Sequence, residues 1–126
     1  MNLRNLFLVN TVVALVFALG LLLGPATLLT LYGLKTGTSE NLVAQLLGAA
    51  LVVPALLTWF ARDLTDSGAR RAVVVPLFLF DVIGFVLTLL GVLAKTMKPA
   101  GWSVVIIFLF FALGYGFFQF MRSSEM

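Results

Sequence analysis

Long apolar runs, broken only by short polar stretches, are the dominant pattern along this chain. The runs extend from Leu6 to Leu23, from Leu42 to Ala61, from Ala72 to Ala94 and from Gly101 to Met121. Each is close to the roughly 20 residues that an α-helix needs to cross the hydrocarbon core of a bilayer. The pattern predicts an all-α protein, a four-transmembrane-helix bundle with up-down-up-down topology in a single domain over residues 1–126.

One further apolar segment follows the first run, and its placement stays open. Gly24 and Pro25 break the first helix. The segment that follows, from Ala26 to Leu34, is too short to cross a bilayer alone. It forms either the last turns of a kinked first span or a short interfacial helix, with Tyr32 at the level of the headgroups. We favour the interfacial helix.

The composition supports a membrane protein and narrows the chemistry. Hydrophobic residues make up 62% of the chain and charged residues 10%, against about 25% charged residues in soluble domains. The chain has no cysteine and no histidine, which excludes disulfides, thiolate nucleophiles, the usual zinc sites and His-ligated haem. We expect no cofactor and no metal site. The net charge of +3 is spread over helix ends, which indicates contact with headgroups and no nucleic-acid partner.

The distribution of arginine and lysine predicts the orientation in the membrane. The larger basic group lies on the side of the termini and consists of Arg4, Arg62, Arg70, Arg71 and Arg122. The smaller group lies on the other side and consists of Lys35, Lys95 and Lys98. The positive-inside rule then places both termini in the cytoplasm of a multi-pass protein of the plasma or inner membrane. Because the two groups differ little in size, a dimer of oppositely inserted copies stays open.

A single formal charge interrupts the third run. Asp81 is the only charged residue between Arg71 and Lys95, and it lies about 14 Å in from Ala72, near the middle of the core. A carboxyl at that depth costs about 2.5–3.5 kcal/mol on insertion scales, so the fold or the function has to offset it. Asp81 is either a proton or cation relay, an anchor for a polar group of a ligand, or a structural aspartate that is protonated or hydrogen-bonded.

Counting residues along the helices predicts a polar cluster around Asp81. Asn10 and Thr11 enter from the same side at a depth of about 10 Å, and Tyr115 lies about 9 Å from Met121. We therefore predict that these residues share one half of the bundle interior as a ligand or proton site: Asp81, Asn10, Thr11 and Tyr115. Three further polar residues are predicted to make interhelical contacts: Gln45, Thr88 and Gln119.

Small residues recur at helical spacing on one face of each span. Ala44, Gly48 and Val52 form such a stripe in the second span, and Gly84 and Gly91 continue the face of Asp81 in the third. In lipid, small residues allow two helices to approach closely. These faces are therefore predicted to point inward, with leucine, valine and phenylalanine toward lipid.

Short, loosely defined sequence motifs at the helix ends carry a family resemblance that covers most of the chain, from Gly20 through Gln119. They are Leu23-Gly24-Pro25 with Leu31-Tyr32-Gly33-Leu34, Leu47-Gly48-Ala49-Ala50 leading to Trp59-Phe60-Ala61-Arg62-Asp63, and then Ser67 with Ala69-Arg70-Arg71-Ala72. In these motifs the chain resembles a broad group of small bacterial four-span proteins similar to the DoxX-like families. The resemblance implies a four-helix membrane bundle and no established chemistry. Small multidrug transporters have four spans of this length too, but the first span here has no embedded glutamate, which argues against drug–proton antiport.

No catalytic constellation is visible in the sequence. No span contains paired carboxylates, no nucleophile has a base, and no glycine-rich phosphate loop occurs. We therefore expect a non-enzymatic membrane protein that acts as an accessory subunit or as a bundle that binds a small hydrophobic ligand. The alternative is a small transporter or ion conduit that works as a dimer with Asp81 as its coupling carboxyl. The expected partners are the lipid bilayer and a membrane protein or a second copy of the chain.

Overall fold

The computed structural model describes residues 2–121, and every regular element within that range is helical. The elements are α1 (Leu3–Leu23), α2 (Pro25–Leu31), α3 (Thr38–Ala61), α4 (Ser67–Leu93) and α5 (Gly101–Gly116), which continues as a π-helical turn over Phe117–Met121. Within the described range, α1, α3, α4 and the last helix with its π-helical turn are long and apolar enough to span a membrane. The prediction of an all-α, four-span bundle is confirmed.

Two of the spanning helices begin several residues before their apolar runs. Helix α4 starts at Ser67, because the side chain of Asp66 accepts a hydrogen bond from the backbone N–H of Ala69 at 2.8 Å and so caps the helix. Helix α3 starts at Thr38, directly after Gly37. Both helices thus begin in polar residues that lie outside the apolar runs. Backbone N–H and C=O groups near lipid have no water to bind, so the helix supplies their hydrogen bonds.

Helix α2 is separate from α1 and folds back beside it. Gly24 leaves the helical conformation, and Pro25 occupies the first position of α2, where its missing N–H costs nothing. A Cβ at position 20 would lie 2.7 Å from Cδ1 of Leu28, so the glycine there allows α2 to pack on α1. Helix α2 contacts α3 as well. The segment is therefore a short helix of its own and does not continue the first span.

The four long helices are arranged as two antiparallel pairs, α1 with α3 and α4 with α5. In the first pair a Cβ at position 48 would lie 3.0 Å from the carbonyl oxygen of Ala18 and 2.9 Å from Cβ of Leu21. Only glycine permits this approach of two backbones, which is how helices associate in lipid. Contacts of α1 with α5 and of α3 with α4 close the ring.

A cluster of buried hydrophobic side chains lies at the end of the bundle that carries the termini. The buried side chains of this cluster come from all four long helices and the π-helical turn: Leu3, Leu6, Phe7, Ala61, Val73, Val74, Leu77, Phe111, Tyr115 and Phe118. At the opposite end the backbone N–H of Lys98 donates to the carbonyl of Tyr32 at 2.8 Å. This bond joins the loop before α5 to the loop after α2, so the two pairs are connected at both ends.

Candidate functional site

A buried hydrogen bond between the first and last spans forms the centre of the candidate site. The side-chain Nδ2 of Asn10 on α1 donates to the hydroxyl oxygen of Tyr115 on α5 at 2.7 Å. Tyr115 is fully buried, and the rings of Phe7 and Phe111 lie 5.9 and 6.1 Å from its ring. The tyrosine is thus fixed by aromatic packing on two sides and by one amide at its polar end.

A second polar pair joins α1 to α3. The hydroxyl oxygens of Thr11 and Thr58 lie 2.8 Å apart. Thr11 also lies 3.0 Å from the carbonyl oxygen of Phe7, and Thr58 2.7 Å from that of Pro54. Each hydroxyl has one proton to donate. One of the two hydroxyls therefore donates to the hydroxyl of the other helix, and the hydroxyl that accepts this bond donates to a carbonyl of its own helix. The pair is satisfied without any group from outside.

Asp81 on α4 is the exception among the buried polar residues. Its side chain is 4% exposed, and no hydrogen bond or ion pair joins it to any residue from 2 to 121. Its Oδ2 is buried and without a partner in that range. Leu77, one turn before Asp81 on α4, packs in the same buried cluster as Tyr115. Because buried polar atoms are almost always hydrogen-bonded, this free acceptor requires an explanation.

Three charged side chains near the termini interact with one another or with an aromatic ring. Nε of Arg4 lies 3.0 Å from Oδ1 of Asp63, and this hydrogen bond holds the pKa of the Asp63 carboxyl below its usual range. The guanidinium of Arg62 lies 3.6 Å from the centre of the Trp59 ring. These interactions hold the loop between α3 and α4 against the start of α1, and none of these cations pairs with Asp81.

The three residues predicted to make interhelical contacts differ in what they bind. Nε2 of Gln45 on α3 donates to the carbonyl of Leu22 on α1 at 3.2 Å, which is a contact between helices. The hydroxyl of Thr88 donates to the carbonyl of Gly84 on its own helix at 2.7 Å. Gln119 lies in the π-helical turn, and its Oε1 is buried with no partner among residues 2–121.

Thr58 is the buried polar residue that sequence reasoning missed. It is fully buried on α3 and binds Thr11. The signal was present in the spacing of small residues, because Ala55 and Ala61, also buried, continue the stripe that begins at Ala44. Extending the stripe along the whole helix would have placed Thr58 on the inward face.

The structure therefore brings three of the four predicted site residues into one region. Asn10 and Tyr115 are bonded directly, and Asp81 lies one turn of α4 from Leu77, which packs in the same cluster as Tyr115. Thr11 faces Thr58 on the neighbouring helix instead. Among the four residues predicted to form the site, the Asp81 carboxyl is the one with an acceptor that no described residue occupies.

Comparison with known proteins gives no match for this chain among protein families, curated proteins or solved structures. The interpretation of the site therefore depends on its own geometry.

Proposed function

We propose that this multi-pass membrane protein is non-enzymatic, and that its bundle binds a small apolar molecule carrying a hydrogen-bond donor. The observation that carries the proposal is the buried Asp81 carboxyl, whose Oδ2 has no partner among the described residues. Leaving a buried acceptor unpaired costs roughly 1–3 kcal/mol. A ligand that brings a donor to this oxygen recovers that free energy on binding, which gives Asp81 the role of an anchor.

The surroundings of Asp81 restrict the ligand chemistry. The hydroxyl pair formed by Thr11 and Thr58 is satisfied internally, and the amide of Asn10 is bonded to Tyr115. Among the residues predicted to form the site, the carboxyl of Asp81 is then the acceptor left for a ligand. The packing around Tyr115 is aromatic and aliphatic. A molecule with one hydroxyl or amine on an apolar body fits these surroundings best, since its donor would meet Asp81 and its body would meet hydrocarbon.

An apolar groove along α5 supports a route from the lipid. Its walls include Leu6 of α1 and Phe78 of α4, and Gly114 and Gly116 form part of its floor on either side of Tyr115. The groove is open to the surroundings, with a volume of about 700 Å³. Phe78 lies one helical turn from Asp81. The groove therefore gives a membrane-dissolved molecule an apolar entry one helical turn from Asp81, which does not itself line the groove.

The same observation supports a second candidate, a small proton or cation conduit. An unpaired carboxyl near the midpoint of α4 is the type of residue that couples ion movement in membrane proteins. In this role Asp81 exchanges a proton or cation between the two sides, and a dimer supplies the rest of the path. The discriminating measurement is pH-driven flux in liposomes, which Asp81→Asn would abolish only in a conduit.

We further propose an orientation of the protein in the membrane and a class of partner. The arginine-rich end of the bundle, with Arg4, Arg62 and Arg71, supports a cytoplasmic location for both termini in a plasma or inner membrane. The resemblance to the DoxX-like group and the absence of a catalytic constellation in the sequence support an accessory role beside a membrane-protein partner or a second copy.

The ligand proposal is tested by identifying the small molecules that co-purify with the protein. Mild-detergent preparations of the wild type, Asp81→Leu and Thr88→Val are extracted and compared by mass spectrometry. Thr88→Val is the matched control, because Thr88 lies on the same helix and binds only its own backbone. We expect a donor-bearing apolar compound in the wild type and Thr88→Val, and its loss in Asp81→Leu. Equal recovery from all three preparations would contradict the proposal.

A further inference from the structure

The loop between α4 and α5 contains a lysine in an unusual backbone conformation. Lys95 has φ 61°, in the left-handed region that normally favours glycine. The backbone N–H of Lys95 donates to the carbonyl oxygen of Val92 at 3.0 Å, and the backbone N–H of Thr96 donates to the carbonyl oxygen of Gly91 at 2.9 Å. These are the two hydrogen bonds of a Schellman motif, in which glycine is the usual residue at the left-handed position. A lysine there suggests that its side chain has a use.

Lys95 lines a pocket at the end of the bundle opposite the termini. The pocket has a volume of about 420 Å³. Its polar wall is formed by Lys95, Thr96 and Lys98, and its apolar wall includes Val92, Met97 and Trp102. The indole of Trp102 is 41% exposed at the start of α5, the position at which tryptophan marks a membrane interface. The pocket therefore joins a basic surface to an apolar one at headgroup level.

The positive charge of this pocket is not compensated by the protein. Lys95 and Lys98 form no ion pair with any residue from 2 to 121. The third lysine at this end, Lys35, lies 3.7 Å from Glu40. Of the acidic residues in the described range, only Glu40 is at this end, since Asp63 and Asp66 lie in the loop between α3 and α4. Two free ammonium groups on one short loop make a local anion site.

The second lysine is held in place by a neighbouring loop. The backbone N–H of Lys98 donates to the carbonyl of Tyr32 at 2.8 Å. The Cβ and Cγ of Lys98 lie directly against Gly33, which has φ 74° and no room for a Cβ. The loops on the two sides of the pocket are thus locked together, so the pocket is preorganised and does not have to form on binding.

We propose that this pocket binds the phosphate group of an anionic phospholipid. Lys95 and Lys98 pair with the phosphate, while Trp102 and Met97 pack against the glycerol and the first methylene groups. The apolar wall favours a lipid over a soluble phosphate, because a free ion would leave the exposed part of Trp102 uncovered. The site is independent of Asp81, which lies deep within the span of α4.

The test is lipid retention by native mass spectrometry in detergent, with phosphatidylglycerol and phosphatidylcholine supplied in equal amounts. The variants are Lys95→Gly, Lys98→Gln and, as the matched control, Lys35→Gln, which removes the same charge at the same end. We expect the wild type and Lys35→Gln to retain phosphatidylglycerol preferentially. Each pocket variant should lower that preference about fivefold, which is the effect expected from removing one lysine near an anionic lipid surface.

Lys95→Gly also separates loss of binding from loss of folding. Glycine fits the left-handed position, so the unfolding temperature of this variant in phosphatidylcholine should stay the same or rise while the lipid preference falls. The proposal is overturned if the wild type shows no preference, or if Lys35→Gln lowers the preference as much as Lys95→Gly. It is also overturned if inorganic phosphate binds in phosphatidylcholine micelles as tightly as phosphatidylglycerol does, because the site would then take a soluble ion.

Discussion

The amide of Asn10 and the hydroxyl of Tyr115 meet at 2.7 Å in the interior of the bundle, although 105 residues separate them in the chain. The bond connects the first spanning helix to the last and so closes the ring of four. Both residues are buried, so neither has water as an alternative partner. Asp81, one turn of α4 from a residue packed with Tyr115, has a buried acceptor without a partner in the described range. The Asn10–Tyr115 pair is therefore a structural contact, whereas Asp81 is a candidate binding group.

The first prediction concerns the strength of that contact. Asn10→Leu and Tyr115→Phe each remove one partner and leave the other buried and unsatisfied, so each should lower the free energy of unfolding. The double variant should lose less than the sum, with a coupling of about 0.6–1.7 kcal/mol, the range for side-chain hydrogen bonds between membrane helices. Unfolding in mixed detergent micelles measures all three variants. Simple additivity would show that the bond contributes nothing.

A second prediction concerns the stability effect of the unpaired carboxyl. Asp81→Leu replaces a buried polar group by an apolar side chain of similar size, so it should raise the free energy of unfolding by about 1–3 kcal/mol. Thr88→Val on the same helix should change it little, because Thr88 binds only its own backbone. The same unfolding assay gives both values. A clear loss of stability in Asp81→Leu would mean that Asp81 has a partner in the protein itself.

The third prediction concerns the contact between α1 and α3. Gly48→Ala places a Cβ 3.0 Å from the carbonyl oxygen of Ala18, so the helices have to separate. We expect a loss of about 1–3 kcal/mol in the free energy of unfolding, the usual cost of overpacking. Ala49→Leu is the control, since Ala49 is exposed on the same helix. Equal effects from the two substitutions would contradict the close approach.

The fourth prediction concerns pH dependence at the end with the termini. The hydrogen bond from Arg4 holds the pKa of the Asp63 carboxyl below its ordinary value of 3.8. The pair therefore stabilises the protein fully above pH 3.8, and this contribution is lost as pH falls through the lowered pKa. Because Asp63 is exposed, the change should be small. Arg4→Gln should flatten the acid limb of unfolding temperature against pH, and an unchanged limb would contradict the pair.

How much of this structure follows from the sequence depends on the kind of constraint. A bilayer requires its spanning segments to be helical, so the four apolar runs predict the spans directly. Depth along a helix follows from a rise of about 1.5 Å per residue, which is why Asn10 and Tyr115 were predicted in one half of the bundle. Helix rotation is set by packing instead, so the sequence did not show that Thr11 faces Thr58.

Local competition explains one other difference from the sequence-based expectations, and close contacts set a detail of α2 that the sequence left open. The hydroxyl of Thr88 binds the carbonyl of Gly84 one turn earlier in its own helix, an alternative that any threonine in a helix has to a contact with another helix. The placement of α2 depends on the space above Gly20, into which Leu28 fits. Neither outcome is encoded in the hydropathy pattern, because both depend on distances of a few ångströms between side chains and backbone.

The central claim is that the Asp81 carboxyl receives a hydrogen bond from a small apolar ligand. The most direct measurement is infrared difference spectroscopy of the delipidated protein in nanodiscs, with Asp81→Asn used to identify the carboxyl band of Asp81. The small-molecule fraction extracted from native membranes is then added back. The account predicts that the band shifts, because a new donor reaches Oδ2. A band that keeps its position while the fraction is present at saturation would contradict the claim.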